Sequence, residues 1–258
     1  MAQPVAHDFP SPPLDVVAVG AHPDDVEVAC GGTLAKLARQ GYRVGIIDLT
    51  DGEPTPYGDS SADRIAEAQR AAEILGVHVR VTLDLPNRRL MDSFEARVAL
   101  AKQFRLHRPR IVIGFGDATP TGSPDHWQSK LITDAAVFYS RLTKWDRHFD
   151  ALPVHAVRRQ LYFRLAIEAD TVAGHSHHLL VDIADTLEQK IDAMKAYRSQ
   201  FRHKPHMEPR IRAAALVTGS LAGVSAAESF VSVRPVAVND LVATLIFPVH
   251  STEASESQ

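Results

Sequence analysis

The sequence is poor in several features that would direct its interpretation. It contains one cysteine, Cys30, which excludes an internal disulfide framework and indicates a reducing compartment. A lone cysteine can be a nucleophile or a metal ligand, but it is more often a small buried apolar residue, and we expect burial here. Basic and acidic residues number 28 and 31, so the chain lacks the positive excess of nucleic-acid-binding proteins. We therefore expect no nucleic-acid partner.

Long apolar runs are also missing. No segment approaches the roughly 20 apolar residues that span a bilayer, and residues 1–13 are polar and proline-rich, unlike a signal peptide. We therefore expect a cytoplasmic protein with no membrane association. The length of 258 residues suits one large α/β domain. We place this domain at 14–250, after a flexible N-terminus at 1–13 and before a disordered tail at 251–258.

Apolar runs and helical spacing alternate along the chain and predict its fold. The alternation through residue 142 predicts an α/β protein with a Rossmann-like, doubly wound, mainly parallel sheet flanked by helices. The predicted strands are residues 14–20, 44–49, 77–83, 111–115, 160–166, 179–183 and 229–233, and the predicted helices are residues 33–39, 62–75, 93–107, 127–142, 185–202 and 210–221.

Side chains with metal-ligand chemistry follow the first predicted strand, in the sequence Ala-His-Pro-Asp-Asp at positions 21–25. Ligands of open α/β sheets usually bind at the carboxyl ends of the strands. His22 and Asp25 offer a nitrogen and an oxygen ligand suited to zinc, and Asp24 stays free beside them. The alternative is a turn that merely caps the next helix.

A third ligand, His126, ends a loop rich in glycine and proline after the fourth predicted strand. Strands one and four are neighbours in many doubly wound sheets, so the two loops should meet. Three protein ligands with an open fourth position for water are typical of catalytic zinc, which lowers the pKa of that water towards about 7. Asp24 could then act as general base. The alternative is a helix-start histidine with Asp125 as N-cap.

These motifs resemble the PIG-L/LmbE-like superfamily of zinc-dependent amidohydrolases, which remove the N-acetyl group from N-acetylglucosamine conjugates. The resemblance is closest to the bacillithiol-biosynthesis deacetylase branch. It covers most of the chain from residue 14 to about 235, and it rests on residues 20–27, 31–33, 48–53, 64, 67–68, 74–77, 124–126, 196–201 and 227–230.

The resemblance implies a role for each of these side chains. His22, Asp25 and His126 would bind Zn²⁺, or another divalent metal such as Fe²⁺, and Asp24 would be the base. Arg64 matches a substrate-facing arginine, whose guanidinium could hold an acidic aglycone. An exposed helix charge paired with Glu67 is the alternative for Arg64. Tyr197 matches a tyrosine near the pocket, although its helical face fits core packing equally well. Family members often form trimers or hexamers, so the resemblance also implies a homo-oligomer.

Two positions depart from the family pattern. Ser123 stands where the family has the histidine that serves as general acid or oxyanion stabiliser, and serine cannot carry a positive charge. Either activity is reduced or another histidine takes this role, and His175 is the candidate, with an ordinary exposed loop histidine as the alternative. Asn87 stands where an aspartate commonly follows Leu-Pro, which alters the expected substrate contacts.

The expected function is hydrolysis of the N-acetyl group of an N-acetylglucosamine conjugate, with N-acetylglucosaminyl-malate of bacillithiol synthesis as the specific hypothesis. The alternatives are another amino sugar, an antibiotic intermediate or a thiol conjugate as substrate, and a non-catalytic sugar-binding role. A dinucleotide-binding module is disfavoured, because no Gly-x-Gly-x-x-Gly follows the first strand and the turn there is acidic.

Overall fold

The computed structural model describes residues 12–58, 60–165 and 178–239, and within them seven strands form one sheet. The strands are β1 (Val16–Gly20), β2 (Val44–Asp48), β3 (Val79–Thr82), β4 (Ile111–Phe115), β5 (Arg159–Phe163), β6 (His178–Asp182) and β7 (Ala227–Ser232). The helices are α1 (Asp25–Arg39), α2 (Ser61–Leu75), α3 (Phe94–His107), α4 (Asp125–Tyr139), α5 (Leu187–Ala196), α6 (Arg198–Phe201) and α7 (Met207–Ser220), with a short 3₁₀ helix at Asp146–His148.

The strand order is β3-β2-β1-β4-β5-β7-β6. The first five strands in this order are parallel to one another, whereas β7 is antiparallel to both β5 and β6. Every residue of β1 and β2 is buried, as expected for parallel strands covered on both faces. The predicted doubly wound, mainly parallel sheet is therefore confirmed, and β1 and β4 are neighbours as the site requires.

Helices pack in two groups around the sheet. Helices α1, α2 and α5 contact one another, and α3 packs along α4. Ser60 and Ser93 cap α2 and α3 by accepting hydrogen bonds from the backbone nitrogens three residues on, which satisfies amides that the first helical turn leaves free.

Two helix predictions were wrong in their extent. Helix α1 begins at Asp25 rather than Thr33. Gly31 and Gly32 lie inside the helix and interrupt the helical spacing of apolar residues on which the prediction rested. The long helix predicted at 185–202 is interrupted at Tyr197, whose φ of −82° and ψ of 71° are not helical. The break lets the Tyr197 hydroxyl donate a hydrogen bond to Glu27 at 2.6 Å, so a contact distant in sequence overrides the local helical pattern.

Helix α1 is kinked at Cys30, where φ is −140° and ψ is 22°. The kink frees the amides of Gly32 and Thr33, and the Glu228 carboxylate of β7 accepts hydrogen bonds from both, at 3.0 and 2.7 Å. A Cβ atom on Gly32 would lie 2.8 Å from the Ile183 side chain, so a larger residue here would force Ile183 to shift. Glu228 therefore acts as an N-terminal cap for the second half of α1.

Lys190 of α5 neutralises this buried cap, with its ammonium 2.5 Å from the Glu228 carboxylate. Both side chains are at least 97% buried. Replacement of one member of a buried ion pair leaves an uncompensated charge. We expect Lys190→Met to lower the free energy of unfolding by about 3–5 kcal/mol in urea denaturation.

The exposed pair of Lys195 with Glu208 provides the matched control. Lys195→Met should cost no more than about 1 kcal/mol, because exposed ion pairs contribute little. In addition, Glu228→Gln in the Lys190→Met background should recover part of the loss. Equal stabilities of the two lysine variants would contradict the role assigned to the buried pair.

Cys30 is fully buried at the kink, and burial raises the pKa of its thiol well above the usual value. A thiol that is buried and protonated is a poor nucleophile or metal ligand, so the expectation of a buried apolar role is supported. Among the described residues, none of the helices is long and apolar enough to cross a membrane.

Candidate active site

The three predicted metal ligands converge at the carboxyl ends of β1 and β4. His22 lies in the turn after β1, Asp25 is the first residue of α1, and His126 lies in the first turn of α4. Parallel pairing of β1 with β4 brings the two loops together. One ligand atom from each of the three side chains lies within 4.8 Å of the other two.

The spacing of these atoms fits a metal ion. Asp25 carboxylate oxygens lie 3.4 Å from His22 Nδ1 and 3.3 Å from His126 Nε2. Adjacent ligands of a tetrahedral ion with bonds of about 2.1 Å are roughly 3.4 Å apart. Two histidine nitrogens and a carboxylate also form a common catalytic zinc set. The residues present therefore fit a divalent metal of the zinc type.

Other side chains fix the orientation of both histidines. Asp125 lies 3.3 Å from His22 Nε2 and also accepts a hydrogen bond from the Arg88 amide, and Thr119 Oγ1 lies 2.7 Å from His126 Nδ1. Each imidazole thus has one nitrogen held by a neighbour and the other facing Asp25. The alternative of Asp125 as an N-cap is wrong, because Pro124 occupies that position and the Asp125 carboxylate turns towards His22.

Carboxylates surround the histidines of this cluster. Burial lowers the pKa of His22, but hydrogen bonds to Asp125 and Asp25 outweigh this effect and raise it to about 10. Burial would raise the pKa of Asp25, yet His126 and His22 beside it keep this pKa well below its usual value. Asp25 therefore stays ionised, and the carboxylates together favour a cation among them.

Asp24 lies beside the ligands in an unusual backbone conformation, with a φ of 111°. A positive φ is uncommon for an aspartate and is often found where a functional site requires it. Asp24 pairs with Arg64 at 3.3 Å. Burial raises the pKa of Asp24 to about 6, although Arg64 opposes the rise. A carboxylate with this pKa is ionised at neutral pH but still basic enough to accept a proton.

Arg64 is buried rather than exposed, so the alternative of a solvated helix charge paired with Glu67 is wrong. It donates a hydrogen bond to the Pro23 carbonyl, while its Nε and Nη1 atoms have no hydrogen-bond partner among the described residues. Glu67 instead accepts hydrogen bonds from Ser199. Arg64 thus supports the turn that carries Asp24 and keeps two nitrogens free beside the pocket.

A buried ionic network lies behind the metal ligands. Arg80 of β3 holds Asp48 through two hydrogen bonds of 2.8 and 3.0 Å, and it contacts Glu27 at 2.5 Å. Tyr197 completes this network through its hydrogen bond to Glu27, and the Arg64 guanidinium lies 5.2 Å from the centre of its ring. Tyr197 is fully buried, so it belongs to the core beneath the site.

The three proposed ligands line a cavity of about 300 Å³. Asn87 and Ser123, the two positions that depart from the family pattern, both line it. Asn87 donates to the Glu53 carbonyl at 2.9 Å, and its buried Oδ1 has no hydrogen-bond partner among the described residues. Further lining side chains include Val28, Arg88, Leu165, Gln200, Phe201 and Lys204.

The structure places most of the predicted site residues together. His22, Asp24, Asp25, His126 and Arg64 all line one cavity. His175 lies outside the described residues, so its predicted role is untested. Sequence reasoning missed the contacts of Thr119 and Asp125 with the histidines. The position of Asp125 beside His126 could have indicated its role. Nothing in the sequence distinguished Thr119 from the other polar residues of its loop.

Comparison with known proteins identifies the family of this chain. Residues 17–137 match the PIG-L family, which is described as GlcNAc-PI de-N-acetylase. A diacetylchitobiose deacetylase of Thermococcus kodakarensis is 31% identical over 224 residues, which cover 83% of this chain and 80% of the relative. The chain belongs to the PIG-L family. The superfamily resemblance seen in the sequence is therefore confirmed.

Two further proteins are similar to this chain. A 1D-myo-inositol 2-acetamido-2-deoxy-alpha-D-glucopyranoside deacetylase of Mycobacterium sp. (strain JLS) is 28% identical over 73% of this chain and 74% of the relative. The crystal structure of a conserved protein from Thermus thermophilus has a TM-score of 0.74 and 34% identity, covering 87% of this chain and 97% of its own. PIG-L proteins are metal-dependent carbohydrate N-deacetylases, and this chain is such an enzyme.

Proposed function

We propose that this PIG-L protein hydrolyses the N-acetyl group of an N-acetylglucosamine conjugate, with Zn²⁺ as its metal. One observation carries the proposal: His22, Asp25 and His126 converge with metal-ligand spacing, and Asp24 lies in the same cavity without belonging to the ligand set. A ligand triad with a free carboxylate beside it is the arrangement that metal-assisted amide hydrolysis requires.

The chemistry divides between the metal and the protein side chains. A divalent metal at the triad would polarise the amide carbonyl and make water a better nucleophile. Asp24 accepts a proton from the attacking water and delivers it to the sugar nitrogen as the carbon–nitrogen bond breaks. Acetate and a free amine are the products. Arg64 holds Asp24 in place and favours its ionised form.

Further contacts would orient the sugar. Arg64 Nε and Nη1 and Asn87 Oδ1 are the buried polar atoms of the cavity lining that have no hydrogen-bond partner among the described residues. They offer two donors and one acceptor to sugar hydroxyls or to an acidic aglycone. Ser123 lines the cavity but supplies no charge, so we keep His175 as the proposed stabiliser of the oxyanion.

The specific substrate is a finer proposal. We propose N-acetylglucosaminyl-malate as the first compound to test, because Arg88 and Lys204 line the cavity and would favour carboxylates. The two deacetylases compared above are named for diacetylchitobiose and for an inositol conjugate, which supports the amino sugar but not the malate. A homotrimer or homohexamer and a cytoplasmic location stay predictions of the sequence.

A substrate panel tests this function. The purified protein should release free amine from at least one of N-acetylglucosaminyl-malate, diacetylchitobiose and the inositol conjugate, as measured with an amine-reactive fluorophore. Activity should disappear after treatment with a chelator and return when Zn²⁺ is added, because activation of the attacking water and polarisation of the carbonyl would depend on the metal. Turnover that a chelator leaves unchanged would refute the metal mechanism, and a protein inactive on all three would refute the substrate class.

A further inference from the structure

A second cavity, of about 250 Å³, lies at the end of the sheet opposite the candidate active site. Its lining comes from the end of α4, from the start of β5 and from the residues after β7. The active site lies where β1 and β4 end, whereas Arg158 and Arg159 lie where the parallel strand β5 begins. Helix α4 starts at the active site, and its 15 residues separate the two cavities by roughly 20 Å.

Four arginines line this second cavity, which we call the arginine cleft: Arg141, Arg158, Arg159 and Arg234. All four are exposed, and among the described residues none of them forms a salt bridge. Arg141 stacks over the Phe138 ring at 4.6 Å. The backbone amides of Arg158 and Arg159 both donate to the Arg110 carbonyl, which fixes the position of their main chain.

The one carboxylate among the lining residues, Asp134, does not neutralise these arginines. It accepts hydrogen bonds from Gln160 at 2.6 Å and from Tyr162 at 3.0 Å, and it pairs with Lys130 at 2.8 Å. Asp134 is therefore already satisfied by a lysine and two neutral donors. The four guanidinium groups are left as a local positive charge.

This local positive charge contrasts with the net charge of the whole chain, which is −3. A concave surface of one sign, with apolar side chains such as Val137 and Val157 in its walls, focuses its field on an approaching ligand. All four cations are arginines rather than lysines. A guanidinium presents a planar fork that binds phosphate through two parallel hydrogen bonds.

We propose that the arginine cleft binds a small metabolite that carries two phosphate groups. The number of free guanidinium groups exceeds what one phosphate can engage through paired hydrogen bonds. The volume lies just below the range of typical small-molecule pockets, which favours a compact ligand over a polymer. The cleft is also a single concave site, whereas nucleic acid requires a basic stripe along its backbone.

Calorimetric titration of the metal-loaded, full-length protein with fructose 1,6-bisphosphate tests the proposal. We expect binding at one site per chain, weaker binding of fructose 6-phosphate and no binding of fructose. The variant R158A/R159A should weaken bisphosphate binding by about tenfold or more, because it removes two charged hydrogen-bond donors. The control R70A/R147A removes two exposed arginines elsewhere and should bind as the wild type does.

Four results would overturn the proposal. Equal weakening in R158A/R159A and R70A/R147A would show general surface electrostatics, and absence of bisphosphate binding would exclude this ligand class. Binding that survives R158A/R159A but is lost in Asp25→Asn would place the ligand at the metal site instead. A 12-nucleotide RNA or an anionic phospholipid vesicle is titrated alongside, and preferential binding of either one would also contradict a small-metabolite site.

Discussion

Asp24→Asn should lower kcat by about 10²- to 10⁴-fold while the protein keeps its metal. The size of the effect is that of a lost general base, since an amide cannot accept the proton of the attacking water. Asparagine matches the size of aspartate and tolerates the positive φ of this position, so the turn should persist. Steady-state kinetics on the best substrate of the panel, with metal content measured on the same sample, provide the test.

Two controls separate this role from a structural one. Asp84→Asn changes an exposed aspartate outside the cavity lining and should leave kcat unchanged. Arg64 keeps its hydrogen bond to the Pro23 carbonyl in Asp24→Asn, so thermal stability should change little. If Asp24→Asn retains more than a tenth of wild-type kcat with full metal content, Asp24 is not the base. If the wild type and Asp24→Asn both bind the sugar and neither turns it over, the result would instead favour the non-catalytic sugar-binding alternative.

Asp25→Asn should abolish both metal binding and activity. Asp25 is the central ligand, with one oxygen 3.3 Å from His126 and the other 3.4 Å from His22. Its replacement removes the negative charge that a divalent cation requires here, while the amide oxygen can still accept from the backbone nitrogens of Ala21 and His22. Metal analysis by mass spectrometry after extensive dialysis should find less than a tenth of the wild-type content.

Asp125→Asn provides a graded comparison. Asp125 contacts the His22 nitrogen that faces away from Asp25, and it does not belong to the ligand set. Its replacement should therefore weaken metal affinity by about 10- to 100-fold without abolishing it. Added Zn²⁺ should then restore the activity of Asp125→Asn but not that of Asp25→Asn. Stoichiometric metal in dialysed Asp25→Asn would disprove the assignment of the triad.

Local patterns in the sequence predicted most of the fold and singled out the three proposed metal ligands, which the structure brings together. Strand β4 begins and ends at the predicted residues, because its apolar run is bounded by clear breakers. His22 and Asp25 were found because they lie close together at the end of a buried strand. Residue chemistry and strand topology together then assigned His126 to the same site, although it lies 101 positions further along the chain than Asp25.

The features that the sequence did not predict depend on contacts between distant segments. The partner of Asp125 lies 103 positions away, and Tyr197 reaches a carboxylate 170 positions away. The periodicity of apolar residues reports only on residues close together in the sequence. The predicted helix therefore continued through Tyr197, and the predicted start of α1 was too late. The antiparallel strand β7, placed between β5 and β6, also follows from packing rather than from any local signal.

The kink of α1 depends on a contact between an early and a late segment of the chain, and the two segments are synthesised at different times. Glu228 lies 196 positions beyond Gly32, so the segment that completes the α1 cap leaves the ribosome long after the metal ligands have been made. Such distant contacts form late and slow the folding of a chain. The helix that begins with Asp25 can therefore reach its final form only after nearly the whole domain has been synthesised. Nascent fragments would lack an ordered metal site, and assembly of the ligands would be coupled to completion of the sheet.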